Sequence, residues 1–259
     1  MFKIYRKLIF VILFIIFVFS GYKLFEYSVQ SSSTQQVNME ARAIYKQEEH
    51  NEQNQPEKKA ATEKKDAENN RAEEKDDRLA NLRKINADTV GWLTIKDTVI
   101  DYPVVQATDN EYYLHHDFNK KESKAGSIYM DFRNTADPLM EHTILYGHSM
   151  RDGSMFRSLL SYKDQGYLEK HPTIIFNSLD GNHTWEIFSV YVTSTEFYYI
   201  DTEFSSDEDY QSFLDKITKK SYFNRDIDPV TYKDKILTLS TCSYEFDDAR
   251  MVVHARLLK

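Results

Sequence analysis

Lys235-Ile236-Leu237-Thr238-Leu239-Ser240-Thr241-Cys242 is an apolar, β-branched run that ends on the sole cysteine of a 259-residue chain. It reads as a strand that delivers a thiol at its end. A lone cysteine has no internal disulfide partner, so it serves either as a small buried hydrophobe or as a thiolate that does chemistry. Eight residues later Arg250 opens a second run, Met251-Val252-Val253-His254-Ala255-Arg256-Leu257, with the turn-prone stretch from Ser243 to Asp248 between the two. The pair predicts a hairpin with the thiol at one mouth and a guanidinium at the other, a placement that favours chemistry over packing.

Working outward, six more β-branched or aromatic runs precede this hairpin, each bounded by Gly, Pro, Asn or Asp: Val90 to Ile95, Val99 to Val105, Ser127 to Phe132, Thr143 to His148, Thr173 to Phe176 and His183 to Thr193. Eight strands in about 180 residues indicate one mainly β domain, a barrel or a sandwich. Arg78 to Ala87 carries Leu79, Leu82 and Ile85 at helical spacing. A longer helix is expected over Ser206 to Tyr222, where Tyr210, Phe213, Leu214 and Ile217 share a face and Asp207, Glu208 and Asp209 occupy the first turn, which the helix dipole favours.

Candidate partners for the thiol follow from context. Thr143-Ile144-Leu145-Tyr146-Gly147-His148-Ser149 ends the fourth run on a histidine, although seven other histidines make composition alone a poor guide. Thr238-Leu239-Ser240-Thr241-Cys242 matches the Thr-Leu-x-Thr-Cys signature of sortases, the membrane-bound transpeptidases of Gram-positive bacteria. The Tyr-Gly-His-Ser segment resembles the part of that family that carries its catalytic histidine, and Arg250 stands where the family's arginine follows the cysteine. The likeness covers Arg78 to Lys259 and is greatest to class B. It implies a sortase-like eight-stranded β-barrel with an N-terminal helix and a long helix before the cysteine strand. It also implies His148, Cys242 and Arg250 as catalytic residues, with Ser240, Thr241, Tyr199 and Ile200 contacting the substrate. Plainer readings stand beside this one: Cys242 as an inert buried residue, and Arg250 as a surface ion-pair partner of Asp247 or Asp248.

The N-terminus reads as membrane-directed. Lys3, Arg6 and Lys7 precede twelve unbroken apolar residues, Leu8 to Phe19, and no further charge occurs before Lys23. This fits a signal anchor over residues 1–29 with the start of the chain in the cytoplasm and the remainder outside; Val18-Phe19-Ser20 also offers a cleavage site for a secretory signal. Residues 30–77 turn to Gln, Asn, Glu, Lys, Ala and Asp, with no glycine between Gly21 and Gly91, and are expected to form a polar, charged linker before a catalytic domain over 78–259. A formal net charge of −8 argues against nucleic acid as a partner. The chain has no glycine-rich phosphate loop, His-Glu-x-x-His or Cys-x-x-Cys, so no cofactor is implied. His115-His116-Asp117 is a poor metal site, because neighbours on an extended chain point to opposite faces.

The resemblance implies a two-step reaction. A sorting-signal peptide of a secreted surface protein, of Asn-Pro-x-Thr type, is cleaved after Thr to give a thioester on Cys242. An amine of peptidoglycan or of a lipid-linked precursor then takes the acyl group. The same residues would serve a plain thiol peptidase or a pilin-polymerising sortase, whose acceptor is a lysine. An inactive sortase-like binding module is a further alternative, against which the intact His148, Cys242 and Arg250 stand. Arg250 could steady the oxyanion or align the substrate backbone.

Overall fold

The computed structural model describes residues 2–53, 77–136, 139–179 and 181–258. Its centre is a closed eight-stranded barrel formed by β1 (Thr89–Thr94), β2 (Asp101–Val105), β3 (Ile128–Met130), β4 (His142–Tyr146), β5 (Thr173–Ser178), β6 (Gly181–Thr193), β7 (Ile236–Cys242) and β8 (Arg250–Leu257). The order around the barrel is β1-β2-β3-β4-β7-β8-β6-β5, and β5 pairs back onto β1. Closure removes the sheet edges that a sandwich would leave open. Two pairings, β2 with β3 and β4 with β7, are parallel. Parallel neighbours require long crossovers, and the one from β4 to β7 contains β5, β6 and most of the helical structure of the domain.

Period two sorts the strands onto two faces. Leu237 and Leu239 of β7, Met251, Val253 and Ala255 of β8 and Leu145 of β4 fill the interior with Trp185, Phe176 and Phe156. Ile236 and Val252 point outward, beneath α4 (Asp207–Lys219), which covers them with Tyr210, Phe213, Leu214 and Ile217. The Ser206 side chain caps this helix by accepting from the Asp209 amide, Asp207, Glu208 and Asp209 occupy its first turn, and Lys216 and Lys219 its last. The expected helix near Arg78 is α2 (Asp77–Ile85), with Leu79 and Leu82 buried.

Two elements lie where the sequence reading assigned none: a 3-10 helix, Phe156–Lys163, and α3 (Gln165–Lys170). Phe156, Leu159 and Tyr162 are buried at a three-residue spacing, the repeat at which 3-10 side chains eclipse.

The N-terminal region departs furthest from expectation. A single helix, α1 (Phe2–Gln53), runs through the apolar segment and well into the stretch read as linker. Thr34, Asn38, Ala41 and Tyr45, spaced four, three and four, are all buried against the barrel. Thr34 bonds Ser123 at 2.8 Å, Arg42 Nε pairs with Asp101 at 2.9 Å, and the Tyr45 ring stacks on Trp92 with centroids 4.4 Å apart. Val37 and Ile44 pack beside them only partly buried, so the face docks largely through polar contacts and one aromatic ring, and a count of large apolar residues does not register it. The rest of the expected linker, residues 54–76, lies outside the described residues.

Candidate active site

The β7–β8 register sets Cys242 directly opposite Arg250. Both are partly exposed, and Arg250 Nη1 donates to the Ala249 carbonyl at 3.1 Å. Among the described residues Arg250 forms no ion pair, so the pairing with Asp247 or Asp248 is not made.

His148 reaches the same place from β4. Parallel pairing aligns Tyr146 with Ser240, and just beyond the strand the Gly147 amide donates to the Ser240 carbonyl at 3.3 Å. Gly147 is required by close packing: a Cβ there would lie 2.4 Å from Ile128 Cδ1 and 3.0 Å from Phe156 Cδ2. The Phe156 amide then donates to the His148 carbonyl at 2.9 Å, fixing the backbone on the other side. His148 Nε2 lies 2.9 Å from the Leu114 carbonyl. A carbonyl only accepts, so Nε2 carries the hydrogen and Nδ1 is the nitrogen left for proton transfer. Burial lowers the His148 pKa below the ordinary histidine value; the Leu114 carbonyl opposes this and His115 adds to it.

These three residues line a cleft of about 410 Å³, and Tyr199, Ile200, Ser240 and Thr241 line it too, so all seven residues singled out from the sequence meet in one place. Tyr199 and Ser240 share a hydroxyl bond of 2.8 Å that ties the Tyr198–Ile200 wall to the cysteine strand. Thr241 falls in the inward alternation with Leu237 and Leu239; it is buried, and its Oγ1 finds no partner among the described residues.

Sequence reasoning overlooked the wall's supports. Arg133 Nη2 donates to the Ile200 carbonyl at 3.0 Å and is itself paired with the fully buried Asp131 at 2.7 Å. Burial works against the Asp131 charge, yet hydrogen bonds from Arg133 and Tyr146 hold its carboxyl below the usual carboxylate range. Tyr146, which donates to Asp131 at 2.9 Å, also lines the cleft. Its position two residues before His148 was the one available signal.

Residues 93–258 match the family model described as Sortase domain. Sortase B of Listeria monocytogenes serovar 1/2a is 42% identical over 245 residues, which are 94% of this chain and 92% of that protein. Sortase B of Staphylococcus aureus is 45% identical over 180 residues, 69% of this chain and 73% of that protein. Among solved structures, a Staphylococcus aureus sortase B–substrate complex superposes with a TM-score of 0.77 at 35% identity, covering 89% of this chain and 99% of that one. Bacillus anthracis sortase B in complex with AAEK1 gives 0.73 at 40% identity, with the same two coverages.

Proposed function

The chain belongs to the sortase family, as a class B cysteine transpeptidase, and we propose that Cys242 is its nucleophile, His148 its acid–base and Arg250 its oxyanion donor. The observation that carries these roles is the meeting of the three side chains in one cleft, from the facing ends of β7 and β8 and the extension of β4.

In the first step the Cys242 thiolate attacks the carbonyl carbon of the scissile peptide bond, forming a C–S bond and an oxyanion. Arg250, a planar fork of N–H donors free of any carboxylate among the described residues, faces the charge that develops there. Collapse expels the leaving amine, which takes its proton from His148 Nδ1. In the second step an amine attacks the thioester, His148 accepts its proton, and sulfur departs as thiolate. Because burial disfavours the imidazolium, the form able to donate is the minor one at neutral pH, and the ring's return to neutrality on proton transfer is correspondingly favourable.

The donor peptide is read as an Asn-Pro-x-Thr sorting signal cut after Thr, and the acceptor as a peptidoglycan or precursor amine. Tyr199, Ile200 and Ser240 are read as peptide contacts, a reading supported by their place on the cleft and by similarity to a sortase B–substrate complex. The window Tyr5–Lys23 of α1, 19 residues with mean hydropathy 1.8, is long and apolar enough to cross a membrane. With Lys3 before it and Arg6 and Lys7 at its start, it is read as a single-pass anchor that leaves the barrel outside the cell.

The test incubates the full chain in detergent with Asn-Pro-x-Thr and Leu-Pro-x-Thr-Gly peptides, with and without an amine, and follows products by mass spectrometry beside Cys242→Ala. A thioester on Cys242 that resolves to an amide only when the amine is present is the expected result. Hydrolysis indifferent to the amine would overturn the transfer step, and adducts persisting in Cys242→Ala would overturn the nucleophile.

A further inference from the structure

Beneath the cleft, on the outward face of the barrel, side chains from four strands form a single line of hydrogen bonds. Tyr191 of β6 meets His254 Nε2 at 2.7 Å, His254 Nδ1 meets the Thr238 hydroxyl of β7 at 2.6 Å, Thr238 meets His142 Nε2 of β4 at 2.6 Å, and His142 Nδ1 meets the Asp201 carbonyl at 2.5 Å. All four side chains are fully buried beneath or beside α4.

The direction of every bond follows from the last. A carbonyl only accepts, so His142 Nδ1 carries the hydrogen and, in the neutral ring, Nε2 is an acceptor. Thr238 therefore spends its one hydrogen on His142, and its oxygen accepts from His254 Nδ1–H. His254 Nε2 is then free to accept the Tyr191 hydroxyl hydrogen. Each group is satisfied once, provided that both rings are neutral and both carry their hydrogen on Nδ1. A proton added at His142 Nε2 would leave the Thr238 hydrogen without an acceptor. A proton added at His254 Nε2 would do the same to Tyr191, and both places are closed to water.

The line ends on Asp201, the residue that follows the Tyr198–Ile200 wall of the cleft. Three carbonyls of this wall and its end, Tyr198–Asp201, are each held by one side chain: Tyr198 by Lys216 Nζ at 2.8 Å, Ile200 by Arg133 at 3.0 Å and Asp201 by His142. Of the three grips, only the one at Asp201 depends on a tautomer passed along a chain of neighbours. We propose that His142, Thr238, His254 and Tyr191 act together as positioning residues that hold the Tyr198–Asp201 wall against β4 and β7, so that Tyr199 and Ile200 are set for peptide capture; this rests on reading the cleft as the sorting-signal site.

Thr238 supports this placement. It lies one strand period before Ser240, the residue that anchors the Tyr199 hydroxyl, and two before Cys242, so the line and the site share one row of β7 side chains. Few other titratable or charged groups face it. Asp131 and Arg133, paired with each other, act on His142 with opposite sign; the Asp201 carboxyl stands on the wall itself; Tyr199 packs edge-on to His254. From α4 the only titratable buried group is Tyr210, whose hydroxyl is spent on the Glu141 and Asp234 carbonyls. Burial pushes His142 down to about 4 and His254 well below its ordinary value, in keeping with two neutral rings.

The test uses the full chain in detergent. Nitrogen-15 spectra of the rings should show His142 and His254 neutral and hydrogenated on Nδ1 across pH 5.5 to 8. Thr238→Val, similar in shape but unable to relay, should raise KM for the sorting peptide about tenfold, the effect of stranding two buried polar groups. The same variant should leave the rate of Cys242 alkylation by iodoacetamide unchanged, and Thr238→Ser should restore KM. A ring charged at pH 7 or hydrogenated on Nε2, or a KM for Thr238→Val equal to that of the unmodified chain, would overturn the relay. Should the unmodified chain turn over no peptide, the proposed function fails, and the ring spectra still decide the relay.

Discussion

Replacing Tyr45 on α1 by alanine tests whether residues that composition assigns to a linker belong to the folded domain. Tyr45 is 5% exposed, stacks on Trp92 within 8° of parallel, accepts from Asn177 Nδ2 at 2.6 Å and lies 4.8 Å beneath the Arg78 guanidinium. Truncating a buried aromatic ring costs about 3 kcal/mol or more in lost transfer energy and cavity. Asn177, whose Oδ1 already lacks a partner among the described residues, would also lose the partner of its amide nitrogen, about 1 kcal/mol more. A total of about 4 kcal/mol corresponds to a fall in Tm of roughly 8–16 °C for a domain of this size. Tyr45→Phe keeps the stack and should fall by only about 2–4 °C. The assay is thermal unfolding of the full chain in detergent, followed by circular dichroism. Were residues 30–53 a solvated spacer, Tyr45→Ala would behave as a surface substitution, within about 0.5 kcal/mol. A Tm change under about 2 °C would therefore refute the docked helix.

Other expectations follow from the site and the buried histidines. Gly147→Ala forces its new methyl onto Ile128 and Phe156, so it should displace His148 and cut kcat/KM by at least about tenfold while the chain stays folded by circular dichroism. Arg250→Lys keeps the charge but not the guanidinium fork and should lower kcat by about 100-fold or more in the peptide assay; near-normal turnover would exclude the oxyanion role. Neutral burial of His142 makes stability depend on pH. Its folded pKa of about 4 lies below the ordinary 6.5, so the unfolded chain binds the proton first and stability, full above about pH 6.5, falls as pH drops towards 4. Denaturant titrations at pH 7.5 and 4.5 should differ by about 2–3 kcal/mol from His142 alone, with His254 adding in the same direction, and His142→Gln should flatten the dependence.

The hairpin from Ile236 to Leu257 was legible to the residue because alternating β-branched and apolar positions mark a strand and the Ser243–Asp248 gap marks its turn. Five of the seven cleft residues, His148, Ser240, Thr241, Cys242 and Arg250, came from the three elements that carry the resemblance, each at a strand end where the barrel rim gathers them; Tyr199 and Ile200 came only from their place in the loop before the long helix. Strand pattern alone left barrel or sandwich open, since closure depends on β5 meeting β1, a pairing that no single run encodes; the resemblance was what pointed to the barrel. The histidine line was invisible for a related reason. His142 and His254 are 112 positions apart in a chain of eight histidines, and only the β4–β7–β8 order brings them to one threonine. On α1 the buried positions of the docking face are Thr, Asn, Ala and Tyr, residues whose partners on the barrel, not their own hydropathy, decide burial.

The unbroken course of α1 also fixes a height. Were Tyr5–Lys23 to span the bilayer as proposed, Glu26, which pairs with Lys124 of the β2–β3 connection at 3.5 Å, would emerge three residues later. Tyr45 sits 22 residues beyond Lys23, about 33 Å at helical rise. On that reading the barrel is mounted like a lamp on a short post rather than swinging on a cord, and its cleft sweeps a thin layer parallel to the lipid. A substrate whose own tail is held in the same membrane is confined to that layer as well. Encounter then becomes a lateral search in two dimensions, and the local concentration each partner experiences is set by the post's length rather than by the volume outside the cell.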